Sequence, residues 1–177
     1  NAFFNSLLNR SVDLVSNEKE NWLIENKSKR IGWVNEHLKK LELATSIDTW
    51  PKNAIHPLQL SKSVQEAMSN GDHLVFDGGN THFWSEIAVN IVGEKNKLSL
   101  GSVMHPGSYS LLGVGVSFAL SVKRLKPKDN VVLITGDGAF LSGGLSIETA
   151  FQESLPIVIV VDNNGGLDCI SQQQERL

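Results

Sequence analysis

The sequence predicts an α/β fold, a parallel sheet flanked by helices on both faces and preceded by a helical segment and a linker. Short apolar runs ending in glycine or aspartate alternate with helical segments along most of the chain, and this alternation is typical of a parallel sheet. The chain has 177 residues, enough for a sizeable core. Its net charge of −3 argues against nucleic acid or an anionic membrane as a partner.

The first 45 residues are charged and carry an apolar stripe at helical spacing, formed by Ile31, Val34, Leu38 and Leu41. We expect Trp22 and Trp33 to anchor that apolar face. Residues 46–56 contain a proline, and another follows at Pro57, so this stretch is predicted to be a linker. The main domain is predicted to span residues 57–177.

The predicted elements of this domain follow one another with little intervening chain. The expected helices are residues 58–69, 80–92, 110–123 and 143–153. The expected strands are residues 73–79, 97–100, 130–138 and 156–162. No apolar run approaches the roughly 18 residues of a membrane span, and Cys169, the one cysteine, excludes an internal disulfide and is compatible with the cytoplasm. Cys169 itself is interpreted as a bystander.

Three of the predicted strands end in glycine and polar residues, at 77–81, 136–138 and 162–166. Ligands of open parallel sheets bind outside the carboxyl ends of the strands, so these segments are expected to share one edge. Gly136 and Gly138 allow close backbone approach, while Asp137 and Asn164 offer the hard oxygen ligands that Mg²⁺ prefers. Taken alone, Gly-Asp-Gly is better explained as an ordinary turn, and Asn-Asn as an ordinary helix cap.

The spacing of the two motifs is more specific, because one strand–helix–strand unit, with 24 residues between Gly138 and Asn163, separates them. This arrangement resembles the diphosphate-binding motif of thiamine-diphosphate enzymes, which starts at GDG and ends at NN. Residues 55–177 resemble the C-terminal domain of the acetolactate synthase and pyruvate decarboxylase superfamily. The stretch 76-FDGGNTHFWSEI-87 also resembles benzaldehyde lyase. By this resemblance, residues 1–45 are the tail of a preceding middle domain.

The resemblance implies a set of site residues. The metal ligands it implies for Mg²⁺ are Asp137, the side chain of Asn164 and the carbonyl of Gly166. The contacts it implies for thiamine diphosphate come from Gly79, Asn80, Thr81, Ser110, Leu112, Gly136, Gly138, Ala139 and Asn164. Leu112 would support the bent cofactor, and the carbonyl of Ser110 would accept a hydrogen bond from its aminopyrimidine.

The implied activity is cleavage or formation of a C–C bond in a 2-keto acid. An acetolactate synthase-like reaction is the first hypothesis. Benzaldehyde lyase, 2-hydroxyacyl-CoA lyase and 2-keto acid decarboxylase are the alternatives. The family's activating glutamate lies in the N-terminal pyrimidine-binding domain of a partner subunit, which implies a homodimer or homotetramer. We therefore expect this chain to be a fragment that is inactive alone, with Phe83, Trp84, Leu111 and Leu112 on its uncovered apolar face.

Two readings from other classes remain open at this point. The first is a Rossmann-type nucleotide-binding domain that uses Gly113-Val114-Gly115 as a phosphate loop. However, the last glycine of G-x-G-x-x-G is missing there, and these glycines are predicted to lie within a helix. The second is a non-catalytic scaffold that keeps the fold and the metal site.

Overall fold

The computed structural model describes residues 17–45 and 54–175. The chain divides into two compact units, residues 1–52 and 53–177. In the first unit, helix α1 (Asn17–Thr45) buries Val34, but Trp22 and Trp33 are 61% and 40% exposed. These exposures give no support to the prediction that the two tryptophans anchor the apolar face. Most of the predicted linker, residues 46–53, lies outside the described residues, and the predicted domain boundaries stay a prediction.

In the second unit, strands and helices alternate. The strands are β1 (His73–Phe76), β2 (Ser102–Met104), β3 (Val131–Gly136) and β4 (Val158–Asp162). The helices are α2 (Pro57–Glu66), α3 (Asn80–Asn96), α4 (Gly115–Leu125), α5 (Asp137–Gly143), α6 (Ile147–Gln152) and α7 (Asp168–Gln174). Short 3-10 turns occupy Gly107–Tyr109 and Gly144–Ser146. No helix within the described residues is long and apolar enough to cross a membrane.

The four strands form one parallel sheet in the order β2-β1-β3-β4. From β1 the chain proceeds through α3 to β2 on one side, whereas β3 leads through α5 and α6 to β4 on the other. The order of the strands therefore reverses between β1 and β3. In doubly wound sheets, this reversal opens a crevice at the carboxyl ends of the two central strands, where ligands bind.

Both faces of the sheet are covered by helices, as predicted. On one face, Val75 and Leu133 pack with Val116 and Ala119 of α4. On the other face, Leu74, Phe76 and Ile134 pack against Val64 of α2 and Val89 of α3. Because successive strand residues point to opposite faces, the central strands are apolar on both, which is typical of parallel sheets.

The edge strand β2 is not where the sequence predicted it. Residues 97–100, expected to be a strand, form no regular element, and the strand lies at Ser102–Met104 instead. Lys97 has a left-handed conformation, with φ 53°, that ends α3. Backbone bonds from Gly71 N–H to the Ser99 carbonyl (2.9 Å) and from Gly101 N–H to the Asp72 carbonyl (2.8 Å) then lead the chain to the sheet. A three-residue edge strand fixed by such tertiary bonds carries little periodic signal of its own.

Two predicted helices also differ from the structure. The helix expected over 110–123 begins only at Gly115, because Ser110 (φ 47°) and Gly113 (φ 86°) are left-handed. The helix expected over 143–153 is two short helices with a 3-10 turn between them, and the first of these starts at Asp137. The predicted strand 130–138 therefore ends earlier, at Gly136.

Candidate functional site

The carboxyl ends of β1 and β3 open onto a cavity of about 300 Å³. Its wall comes from the loop after β1, the chain before α4, the first turn of α5 and the loop after β4. All the site residues expected from the sequence lie in this wall: Gly79, Asn80, Thr81, Ser110, Leu112, Gly136, Asp137, Gly138, Ala139, Asn164 and Gly166. The structure thus brings the set together, while the individual roles of its members stay predictions.

The turn from β3 into α5 places Asp137 in this wall. Gly136 is extended and precedes the helix, so Asp137 is the first helical residue. Its Oδ1 accepts the Gly138 N–H at 2.9 Å, and its Oδ2 accepts the Gly165 N–H at 3.0 Å. The second bond ties α5 to the loop after β4, which is adjacent because β3 and β4 pair in register from Val132 to Gly136.

The loop after β4 curls back through its own side chains. Asn163 Oδ1 accepts the Gly165 N–H and Asn164 Oδ1 accepts the Gly166 N–H, each at 3.2 Å. Asparagine commonly forms turns of this kind, in which its side-chain oxygen accepts the backbone N–H two residues later. They place Asn164 and Gly166 in the same wall as Asp137.

This edge of the sheet carries negative charge. Burial, followed by the charges of Asp137 and Asp168, raises the pKa of Asp162. Among the described residues that line the cavity there is no lysine, arginine or histidine. An anionic ligand group here would therefore need a cation to balance its charge.

The oxygen atoms at this edge fit a hard divalent cation. Within residues 17–45 and 54–175 there is no cluster of three or more His, Cys, Asp or Glu side chains that could hold a metal. The predicted set instead combines one carboxylate, from Asp137, with the amide oxygen of Asn164 and the carbonyl of Gly166. Mg²⁺ typically binds few protein ligands, all of them oxygen atoms, and takes its remaining ligands from phosphate and water.

Another part of the wall is formed where the loop after β1 and the chain before α4 touch backbone to backbone. A Cβ added to Gly78 would lie 2.2 Å from the Ser110 carbonyl oxygen, so only glycine fits there. The next N–H, of Gly79, donates to Ser110 Oγ at 2.9 Å. Gly79 also lies against Leu112, whose Cδ2 would be 3.4 Å from an added Cβ. These contacts hold Ser110 and Leu112 in the wall of the cavity.

Sequence reasoning missed the part of the wall around α7, which comprises Leu167, Asp168, Cys169 and Ile170. The Asn80 amide donates to Asp168 Oδ2 at 2.6 Å and accepts from the Cys169 thiol. Burial and the charge of Asp168 raise the pKa of this thiol, so it stays protonated at neutral pH. Cys169 therefore lines the cavity, a position that the sequence analysis did not predict. Asp168 followed by apolar Ile170 was the available signal of a helix start.

Comparison with known proteins identifies the kind of cavity this is. Residues 77–177 match the family described as thiamine pyrophosphate enzyme, C-terminal TPP binding domain. The chain belongs to this family. Thiamine pyrophosphate, or thiamine diphosphate, is thus the cofactor class of the fold, and the resemblance inferred from GDG and NN is confirmed.

Individual relatives differ in their named activities. Human 2-hydroxyacyl-CoA lyase 2 is 31% identical over 68% of this chain and 18% of its own length. Acetolactate synthase of Bacillus subtilis is 29% identical over 71% and 21%, and oxalyl-CoA decarboxylase of Escherichia coli K12 is 31% identical over 75% and 22%. The chain thus spans about a fifth of the curated relatives it matches.

The geometry also bears on the nucleotide-binding alternative. The N–H groups of Gly113 and Gly115, which a phosphate loop would present to its ligand, both donate to the Asp77 carboxylate at 3.0 Å. Donors bonded within the protein do not serve a phosphate. Together with family membership, this bond pattern disfavours a Rossmann-type site at that position.

Proposed function

We propose that this chain forms the diphosphate-binding part of a thiamine-diphosphate- and Mg²⁺-dependent enzyme that cleaves or forms C–C bonds in 2-keto acids. The observation that carries the proposal is the composition of the cavity. Asp137, Asn164 and Gly166 offer hard oxygen atoms in one wall, and no basic side chain lines the described cavity. A diphosphate would enter such a site as its Mg²⁺ complex, because the metal supplies the positive charge that the wall lacks.

Each part of the wall then has its own task. Asp137, the Asn164 side chain and the Gly166 carbonyl would hold the metal, and the Gly138 and Ala139 backbone would contact the diphosphate. Leu112 and the Ser110 carbonyl, in the chain before α4, would orient the organic part. When bound, thiamine diphosphate supplies the nucleophilic carbon and the electron sink for the reaction. The apolar wall residues exclude water from it.

We assign the acid–base group to a partner subunit's pyrimidine-binding domain, in a homodimer or homotetramer. Exposed apolar residues support this assignment, because such surfaces mark protein contacts. Beside the cavity loop, Tyr109 is 91% exposed and Leu111 55%, and Phe83 of α3 is 43% exposed. Trp84, expected on the same face, is half-buried, with its ring 4.7 Å from that of His56.

Acetolactate synthase-like chemistry is our first proposal for the substrate, with 2-hydroxyacyl-CoA lyase activity second. The named relatives support both, because this chain is about equally similar to the acetolactate synthase (29% identical) and to the 2-hydroxyacyl-CoA lyase (31% identical). Benzaldehyde lyase and 2-keto acid decarboxylase activities are further alternatives within the same chemistry.

The test is product analysis with the full-length protein. Pyruvate should give acetolactate only when thiamine diphosphate and Mg²⁺ are both present. Cleavage of a 2-hydroxyacyl-CoA without acetolactate formation would transfer the assignment to the second candidate. Absence of product from pyruvate, a 2-hydroxyacyl-CoA, a benzoin and a panel of 2-keto acids would contradict the enzyme proposal.

A further inference from the structure

A carboxylate that does not line the cavity has an unusual set of partners. Asp77, at the end of β1, is only 1% exposed. Its Oδ1 accepts the N–H groups of Gly78 (2.9 Å) and Gly113 (3.0 Å). Its Oδ2 accepts the Gly115 N–H (3.0 Å) and shares the Thr135 hydroxyl proton (3.4 Å) with the Gly136 carbonyl (3.2 Å). Hydrogen bonds to a charged acceptor are stronger than neutral ones, so this carboxylate joins β1, β3 and the chain before α4 firmly.

The bond to Gly115 replaces a missing helix cap. The first N–H groups of a helix have no partner within it, and a polar residue just before the helix commonly accepts one of them. In α4 that preceding residue is Val114, whose side chain makes no capping bond. Asp77 supplies the acceptor from a strand that lies 38 positions earlier in the sequence.

The fit between Asp77 and the turn before α4 is tight. A Cβ added to Gly115 would lie 2.7 Å from Asp77 Oδ2. Gly113, with φ 86°, turns the chain so that its N–H also points at the carboxylate. Residues 110–114 are thus held at their far end by Asp77 and at their near end by the Ser110 bond to Gly79. Leu112 lies between these two attachments.

We propose that Asp77 is a positioning residue for the cofactor, which fixes residues 110–114 and thereby the place of Leu112 and Ser110 in the cavity wall. This inference rests on the proposed function, in which Leu112 and Ser110 orient the organic part while Asp137 and Asn164 serve the diphosphate and its metal. Loss of Asp77 then disturbs orientation and leaves the diphosphate anchor in place.

The first experiment needs no cofactor. Amide hydrogen exchange of this chain, resolved by residue with NMR, reports whether Asp77 holds the turn. In the wild type, Gly113 and Gly115 should be protected, although one lies in a turn and the other is the first residue of a helix. Free exchange at both would overturn the proposal, and this result is available even if no Asp77 variant folds.

A pair of variants makes the exchange experiment specific. Asp77→Asn keeps the shape of the side chain but removes its charge and one acceptor, so exchange at Gly113 and Gly115 should quicken about tenfold or more. Asp72→Asn is the matched control. Asp72 precedes the same strand at its opposite end, where its carboxylate accepts the Ser69 N–H (2.8 Å) and the Asn130 amide (3.0 Å). Equal exchange rates in both variants would contradict the proposal.

The second experiment separates positioning from a general loss of structure. In full-length protein with Mg²⁺, Asp77→Asn should bind thiamine diphosphate within about threefold of wild type, because its diphosphate anchor is intact. The near-ultraviolet circular dichroism of the bound cofactor should change, and kcat per bound cofactor should fall about tenfold or more. Unchanged dichroism and kcat would overturn the inference alone. Failure of the wild type to bind thiamine diphosphate would instead overturn the proposed function, and the cofactor role of Asp77 with it.

Discussion

The close approach of Gly78 to the backbone of Ser110 and Leu111 allows a quantitative prediction for Gly78→Ala. The added Cβ would lie 2.2 Å from the Ser110 carbonyl oxygen and 2.5 Å from that of Leu111. Relaxed carbon–oxygen contacts are about 3.3 Å, so the two loops must separate by about 1 Å. Because the atoms in contact belong to the backbone, no side-chain rotation relieves the clash. The φ of Gly78 lies outside the left-handed region, so the effect is steric.

The cost has two parts. Overpacking of this kind typically costs about 1–3 kcal/mol. Separation of the loops also weakens the bond from Gly79 N–H to Ser110 Oγ, which is worth about 1 kcal/mol. A loss of about 2–4 kcal/mol lowers the melting temperature of a domain of this size by about 10 °C.

Thermal unfolding followed by far-ultraviolet circular dichroism measures this effect, and Gly93→Ala is its control. Gly93 lies inside α3, and an added Cβ there meets nothing within 4 Å. Alanine is favoured over glycine in a helix by about 1 kcal/mol, so this variant should melt about 3 °C higher than wild type. A Gly78→Ala chain that melted within about 2 °C of wild type would refute the close loop contact.

Two further predictions concern pH and the cavity. Burial first, and then the charge of His105, lower the pKa of His82 below 6.5, with Glu86 opposing in part. Since the unfolded chain binds that proton more readily, the free energy of unfolding should fall between about pH 7.5 and pH 5.5. Urea titration should show a smaller fall in His82→Phe. An equal dependence of the free energy on pH in wild type and variant would contradict this prediction. Gly138→Ala would put a Cβ 2.6 Å from Leu167 Cδ2 in the cavity wall. It should weaken thiamine diphosphate binding by calorimetry about tenfold. Adding Leu167→Ala to this variant should restore the binding. A double variant that binds as weakly as Gly138→Ala would contradict the steric reasoning.

The meeting of GDG and NN at one edge was predictable because it follows from local patterns. A strand, a helix and a second parallel strand place both carboxyl ends side by side, whatever the remaining sequence. In the structure, the hydrogen bond from Gly165 N–H to Asp137 joins the two strand ends. Gly136, Gly138, Asp137 and Asn164 could therefore be picked out from their spacing along the chain, while the roles of Asp137 and Asn164 as metal ligands stay a prediction.

The rest of the site depends on contacts that are distant in sequence. Residues 110–114 have an apolar composition that predicts helix, but the bonds that Asp77 makes to Gly113 and Gly115 outweigh this local preference. In the same way, Asn80 reaches Asp168 across 88 positions. Neither contact leaves a periodic signal, so the turn before α4 and the wall at α7 required the structure.

Calorimetric titration of the full-length protein with thiamine diphosphate, with and without Mg²⁺, tests the central claim most directly. Because no basic side chain lines the described cavity, we predict binding only in the presence of Mg²⁺ and its loss in Asp137→Ala. Binding that is equally tight without Mg²⁺, or unaffected by Asp137→Ala, would contradict the metal site. No binding in either condition would contradict the cofactor site altogether.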